Sequence, residues 1–358
     1  MIERSIFNLK KITLILGTAC NFNCIYCVQH ENKPRCRKAI KPEVIKWLEH
    51  IAFRLPKKFK PTLQFYGGEP LLYRDAIHQV VEHFGDDFNY ALISNGSNLT
   101  KEDVDFFNAN SIMFVFSNDG PNTKITRQVD MFEDENFTKL FNQIEHKAID
   151  LVYSALSQDL PNVFKHIEAK APDTLIWPEE LICNSYTDSR LVDFDKDVLL
   201  KSYKEMGEDL YTALNSKEDV KLSNSTRIFY NWVKSVGKTI NYPVFPKFGV
   251  CGSGNKALSV DTEGKIYLCK NFNEKIGTVS DSYETLYDRA LELTKKLRDK
   301  NLEAKGCFDC PVFYFCKGGC PFEEASEMQK KRCEMTRAKW LSVVSFIDNK
   351  LEIKYEDS

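Results

Sequence analysis

The chain has 358 residues, 43% hydrophobic and 28% charged, with 16 glycines and 13 prolines. This is globular composition, and it excludes collagen-like, low-complexity and wholly disordered chains. Its 49 basic and 51 acidic residues leave a net charge of −2, which excludes the strongly basic character of most nucleic-acid binders.

The first 215 residues alternate strand and helix patterns. Short β-branched or apolar runs at 12–16, 62–66, 90–93, 112–116 and 151–155 predict five strands, and a weaker run at 175–182 a sixth. A helix is predicted over 42–55, with Pro42 at its start and Val44, Trp47, Leu48 and Ile51 at spacings of 3, 4 and 7. Another is predicted over 195–214, with Val198, Leu199, Tyr203, Met206 and Leu210 on one face. Alternating β and α units imply a parallel sheet with right-handed crossovers. Periodicity leaves two architectures open, an open sheet or an incomplete barrel.

A polar stretch over 215–225 ends this region, and the Pro- and aromatic-rich residues 241–248 follow. Cysteines are then dense from 251 to 333. This predicts two domains, 1–235 and 236–358. Residues 289–305 and 330–339 alternate bases with acids at helical spacing, as solvated helix faces do.

No apolar run approaches the roughly 20 residues of a membrane-spanning helix, and the N-terminus lacks a signal-peptide core. The cytoplasm is the expected compartment. In a reducing compartment, clustered cysteines are metal ligands or catalytic groups rather than disulfides. Twelve cysteines are present, in a chain long enough to fold without cross-links.

Parallel α/β sheets place their chemistry in the loops after the strands. Cys20, Cys24 and Cys27 follow the first strand as C-x3-C-x2-C. Gly67-Gly68-Glu69-Pro70 follows the second, Ser94-Asn95-Gly96 the third, and Ser117-Asn118-Asp119-Gly120-Pro121 the fourth. Three thiolates can ligate three irons of a cubane cluster and leave the fourth open. Structural zinc takes four closed ligands.

The cysteine motif, with Tyr26 before its third cysteine, resembles the signature of the radical S-adenosylmethionine (SAM) superfamily. The Gly67–Pro70 run resembles the second motif of that superfamily, which holds the methionine amino group. The resemblance implies a partial (β/α)6 barrel that binds SAM. It places Tyr26, Gly67, Gly68, Glu69, Pro70, Asn95, Ser117, Asp119 and Arg127 at the cofactor, with Arg127 either on a carboxylate or at the surface.

Cys251, then Gly264-x4-Cys269, then Cys307-x2-Cys310-x5-Cys316-x3-Cys320, and finally Cys333 resemble the SPASM extension. That resemblance implies two auxiliary [4Fe–4S] clusters, three clusters in all. Cys307, Cys310, Cys316 and Cys333 would close one of them. Cys251, Cys269 and Cys320 would hold the other one ligand short, because two cubanes need eight ligands and seven are supplied. A zinc ribbon of Cys307, Cys310, Cys316 and Cys320 is the alternative, but it leaves Cys251, Cys269 and Cys333 without a role. Cys36 and Cys183 remain as ordinary thiols.

Relatives of this architecture mostly modify peptides. Formylglycine-forming sulfatase maturases carry an Asp after the cysteine equivalent to Cys269, where this chain has Lys270. An ammonium does not replace a carboxylate base without a strongly depressed pKa. The expected function is therefore C–C or C–S cross-linking of a ribosomally made precursor peptide, by way of a 5′-deoxyadenosyl radical. Sulfatase maturation, peptide epimerisation and a non-catalytic zinc or iron–sulfur scaffold are the alternatives. The expected partners are the precursor peptide, a flavodoxin- or ferredoxin-type electron donor and a separate leader-binding protein. About ten residues precede the first strand, which leaves no room there for a leader-binding domain.

Overall fold

A computed structural model describes residues 9–31, 39–55, 59–184, 186–216, 222–241, 252–271 and 274–350. Cys36 and Cys251 lie outside them. In chain order the elements are β1 (Lys11–Ile15), α1 (Pro42–Arg54), β2 (Thr62–Tyr66), α2 (Arg74–Phe84), β3 (Asn89–Ser94), α3 (Lys101–Ala109), β4 (Met113–Ser117), α4 (Thr123–Arg127), α5 (Glu135–Gln143), β5 (Lys147–Tyr153), α6 (Leu160–Glu168), β6 (Leu175–Glu180), α7 (Lys196–Asn215), α8 (Asn224–Asn241), β7 (Ala257–Asp261), β8 (Lys265–Tyr267), β9 (Lys275–Thr278), α9 (Tyr283–Ala304), α10 (Phe313–Cys316) and α11 (Glu327–Lys350).

The chain forms two compact units. The first comprises Met1–Asn118, Thr123–Asp150 and Lys247–Asp299. Its strands lie in the order β5-β4-β3-β2-β1-β7-β8-β9. All pairs from β5 to β7 are parallel, and β8 and β9 add an antiparallel edge. This is the open, parallel α/β sheet of a partial barrel. Both faces are covered, so Ile12, Thr13 and Leu14 of β1 are all buried, as parallel sheets require.

Local chemistry explains the helices. Pro42 sits in the first turn of α1, which buries Val44, Leu48 and Ile51. Thr100 and Asp103 form a reciprocal capping box that starts α3. A cluster of Phe116, Phe132, Phe137 and Phe141 fills the layer under β4, with ring centroids 4.7 to 5.9 Å apart.

The C-terminal strands were not expected. β7 pairs residue for residue with β1, Lys11 against Ala257 through Ile15 against Asp261, so β1 is an interior strand. Residue 235 falls inside the continuous helix α8.

The second unit comprises Asp119–Asn122, Leu151–Pro246 and Lys300–Ser358. Asp195 caps α7 by accepting from the Asp197 and Val198 amides. The helix then buries Leu199, Tyr203, Met206 and Leu210. Val198, expected on that face, is 36% exposed; one residue before Leu199, it is turned about 100° off the stripe. Phe229 of α8 and Phe346 of α11 pack edge to face, with centroids 5.2 Å apart.

The expectation of solvated charges fails at three positions. Lys305, Arg332 and Lys339 are 1%, 7% and 6% exposed at their side chains. Buried charges of this kind must be paired. Arg332 donates to both oxygens of Glu323 at 2.9 and 2.6 Å, and Lys305 reaches the same carboxylate at 3.3 Å. Lys339 pairs with Glu180.

Candidate functional site

The loop after β1 and the loop after β2 are joined through their backbones. The Leu16 amide donates to the Tyr66 carbonyl at 2.8 Å. Gly68 donates to Gly17 at 3.0 Å, and Glu69 to Ala19 at 2.8 Å. The Ala19 amide donates to the Tyr73 hydroxyl at 2.8 Å. The two glycines serve close approach. A Cβ at Gly67 would stand 2.7 Å from the Gly17 carbonyl oxygen, and one at Gly68 2.2 Å from that of Ala19. The cysteine loop is therefore held against a turn that only glycine permits.

Glu69 ties that turn to the loop after β3. Its Oε1 accepts from the Leu71 amide at 2.9 Å and the Ser94 hydroxyl at 2.7 Å, and its Oε2 accepts from the Asn95 amide at 2.8 Å. Burial pushes the Glu69 carboxyl above its ordinary value, while these hydrogen bonds and the Arg127 charge pull it back. Asn95 Nδ2 donates to Asn21 Oδ1 at 3.0 Å, and Asn95 Oδ1 accepts from the Ser97 amide and hydroxyl. Asn21 Nδ2 closes the ring on Ser97 Oγ at 2.8 Å.

Arg127 is buried, with its guanidinium 5.2 Å from the centre of the Tyr26 ring. The surface alternative for this arginine is thereby excluded. The Ile25 amide donates to the Thr126 carbonyl at 2.9 Å, so the cysteine loop is pinned on this side as well. Ser117 is buried at the end of β4. Asp119 belongs to the second unit, where its carboxylate accepts from the Val152 amide at 2.9 Å.

The loop carrying Cys269 meets the end of β2 within the first unit. Gln29 Nε2 donates to the Lys270 carbonyl at 3.1 Å, and the Tyr66 hydroxyl to Asn271 Oδ1 at 3.1 Å. The Lys270 ammonium lies 4.3 Å from the centre of the Tyr66 ring. Sequence reasoning missed Asn21, Gln29, Tyr73, Ser97 and Asn271. Asn21, directly after Cys20, was the one signal available.

In the second unit, burial pushes the Cys307 thiol up to about 11, and raises Cys316 and Cys333 as well. The neighbouring thiols Cys316, Cys333 and Cys310 add to that rise at Cys307 electrostatically. Lys305 and Arg332 oppose the desolvation of Cys333. Lys305 also donates to the Cys320 carbonyl at 3.1 Å. Cys183 is a buried thiol here, as expected, and its amide donates to Glu323 at 3.0 Å.

The donor chemistry suits iron–sulfur clusters. Amides donate to the Cys20 and Cys269 sulfurs at 3.4 and 3.5 Å, and Gln329 donates to Cys333. Such bonds to sulfur help set the properties of a cluster. Among the described residues no three His, Cys, Asp or Glu side chains converge on a single ion. A cubane asks for something wider, because each thiolate binds a different iron.

Two curated relatives resemble the chain along most of its length. The radical SAM cyclopropyl synthase TigE of Paramaledivibacter caminithermalis is 22% identical, over 87% of this chain and 68% of TigE. An uncharacterized protein of Archaeoglobus fulgidus is also 22% identical, over 92% of this chain and 79% of its own. Among solved structures, anSMEcpe with bound AdoMet and Cp18Cys peptide superposes with a TM-score of 0.67 at 18% identity, over 94% of this chain and 98% of that one. SuiB of Streptococcus suis bound to S-adenosylmethionine gives 0.59 at 16% identity, over 89% and 77%. These structures share the fold.

Residues 14–136 match the radical SAM superfamily. That span begins inside β1 and runs past Arg127, taking in the loops after the first four strands; this part of the chain belongs to the radical SAM superfamily.

Proposed function

We propose that the chain oxidatively modifies a ribosomally synthesised peptide, closing a C–C or C–S cross-link. One observation carries the radical half of this reading: the loop bearing Cys20, Cys24 and Cys27 is bonded along its backbone to the Gly67–Glu69 turn. Bound there, SAM and a reduced [4Fe–4S] cluster supply a 5′-deoxyadenosyl radical. The thiolates of Cys20, Cys24 and Cys27 would hold that cluster, three ligands for four irons. The backbone of Gly67–Pro70 would hold the amino group, and Arg127, braced on Tyr26, would pair with the carboxylate. Asn95 and Ser117, both in the first unit, would serve the ribose side.

Cross-linking removes two hydrogens from the peptide. One leaves as a hydrogen atom with 5′-deoxyadenosine, and the other as a proton together with an electron. The thiols of Cys307, Cys310, Cys316 and Cys333 would hold a cluster suited to accept that electron. A flavodoxin- or ferredoxin-type protein reduces the first cluster, and a separate protein delivers the peptide leader.

Support for a peptide substrate comes from the relatives. anSMEcpe is solved with Cp18Cys peptide and SuiB with the precursor peptide SuiA. A cyclopropyl ring, the product named for TigE, is closed by a C–C bond. Lys270 argues against formylglycine formation, because its ammonium lies over the Tyr66 ring where that chemistry asks for a carboxylate base.

Anaerobic purification tests the cluster set: about 12 irons with matching sulfide fit three cubanes, and zinc without sulfide overturns it. Incubation with SAM, dithionite and the peptide encoded beside the gene tests the reaction. Loss of two hydrogens from the peptide supports a cross-link. Deuterium uptake without a mass loss assigns epimerisation instead, and an unchanged peptide refutes both.

A further inference from the structure

The second unit carries a groove that the reading above does not use. It lies between α7 and α11 and has a volume of about 700 Å³. Tyr203 and Phe346 form its floor, and Gly207 lets the helices close over it. A Cβ at Gly207 would stand 3.0 Å from the Phe346 ring. Leu200 and Leu341 line the walls and are 38% and 51% exposed. An apolar strip of this kind, open to water between two helices, fits the apolar face of a third helix.

The charges around the strip are unequal. Lys196, Lys204, Arg337 and Lys350 face Glu208 and Glu334. Lys350 is matched by Glu208 at 3.3 Å. That leaves Lys196, Lys204 and Arg337 against Glu334. Among the described residues none of these three cations has an ion-pair partner. Arg337 Nε is moreover buried without a hydrogen-bond partner.

We propose that this groove binds an acidic, amphipathic helical segment of the substrate peptide, remote in sequence from the residues that react. The inference rests on the peptide reading above and names the chemistry of the segment that is recognised. Apolar side chains would enter between Leu200 and Leu341, and carboxylates would meet Lys196, Lys204 and Arg337. Because Lys196 and Lys204 are exposed at the rim, the interaction weakens as salt rises.

The test uses the cluster-loaded enzyme and a fluorescein-labelled helical peptide of about four turns, leucine on one face and glutamate on the other. Its twin carries lysine for glutamate. The acidic peptide should bind saturably and the basic twin should not. The double variant Lys196→Glu/Lys204→Glu and the single variant Leu341→Asp should each weaken binding about tenfold or more. Failure of the acidic peptide to bind, equal binding of the twin, or indifference to these substitutions overturns the proposal. A concentration-dependent dimer abolished by Leu341→Asp in sedimentation assigns the groove to a second copy, and equally overturns it. Release of 5′-deoxyadenosine without peptide tests the radical reading separately and should be unchanged in both variants.

Discussion

Replacing Gly68 by alanine tests the join that holds the cysteine loop in place. The new Cβ would stand 2.2 Å from the Ala19 carbonyl oxygen, 2.5 Å from its carbon and 2.7 Å from the Thr18 oxygen. All three are backbone atoms, so no side chain can swing aside and the loops must part. Parting them breaks the Gly68–Gly17 and Glu69–Ala19 hydrogen bonds. At about 1 kcal/mol each, and more for partners left buried and unpaired, the cost is roughly 2–4 kcal/mol. In a unit of this size the thermal midpoint falls by about 5–10 °C. The effect on catalysis is larger, because a misplacement of about 1 Å in a reacting constellation costs on the order of a hundredfold. The assay is anaerobic, with reconstituted enzyme, dithionite and SAM, and 5′-deoxyadenosine measured by chromatography beside a calorimetric scan. Gly237 in α8 is the control: nothing lies within 4 Å of a Cβ there, so Gly237→Ala should stabilise by about 0.5–1 kcal/mol. A Gly68→Ala protein with a midpoint within about 1 °C and a rate within about twofold of the parent would refute the close-approach argument.

Glu323→Gln leaves Lys305 and Arg332 buried without their counter-charge. Chemical denaturation should show a loss of about 3–5 kcal/mol, and a loss below about 1 kcal/mol counts against a buried triad. Glu69→Gln keeps the shape but turns an NH2 group toward a donor, because the carboxylate accepts from Leu71, Ser94 and Asn95. It should cost about 1–3 kcal/mol and slow 5′-deoxyadenosine release, and a neutral result sinks the strut role. A hydrogen bond from the Thr278 amide holds the Asp281 carboxyl below its ordinary value of 3.8. Its contribution is complete above that value and lost as pH falls through the lowered one. Unfolding measured against pH should therefore be flatter in the acid limb for Asp281→Asn, and identical limbs contradict the assignment.

The parallel α/β region was legible because its signals are local. The strand predicted at 62–66 is β2, and the helix predicted from 195 begins where Asp195 caps α7. The β7 strand was not legible in the same way. Its Ala-Leu-Ser-Val-Asp run is short, and its partner lies 246 residues earlier. Nothing near residue 257 announces that it will lie beside β1. Arg332 and Lys339 misled for a related reason. Bases alternating with acids along a helix look solvated, and burial here is decided by Glu323 and Glu180 from other segments. Within the site, the motif residues could be named but not their couplings. That Glu69 reaches Ser94 and Asn95, and that Asn21 is bound to both Asn95 and Ser97, follows from contacts across 25 to 76 residues.

The place of β1 between β2 and β7 has a consequence for how the enzyme is made. Until Ala257–Asp261 have left the ribosome, the strand that feeds the cysteine loop has one neighbour and one open edge. An open edge offers its unpaired amides and carbonyls to any other strand, and contacts so distant in sequence form slowly. The site-bearing strand is thus among the last to be completed although it is among the first to be synthesised. A chain halted before residue 257 carries Cys20, Cys24 and Cys27 beside a strand that still lacks its β7 partner.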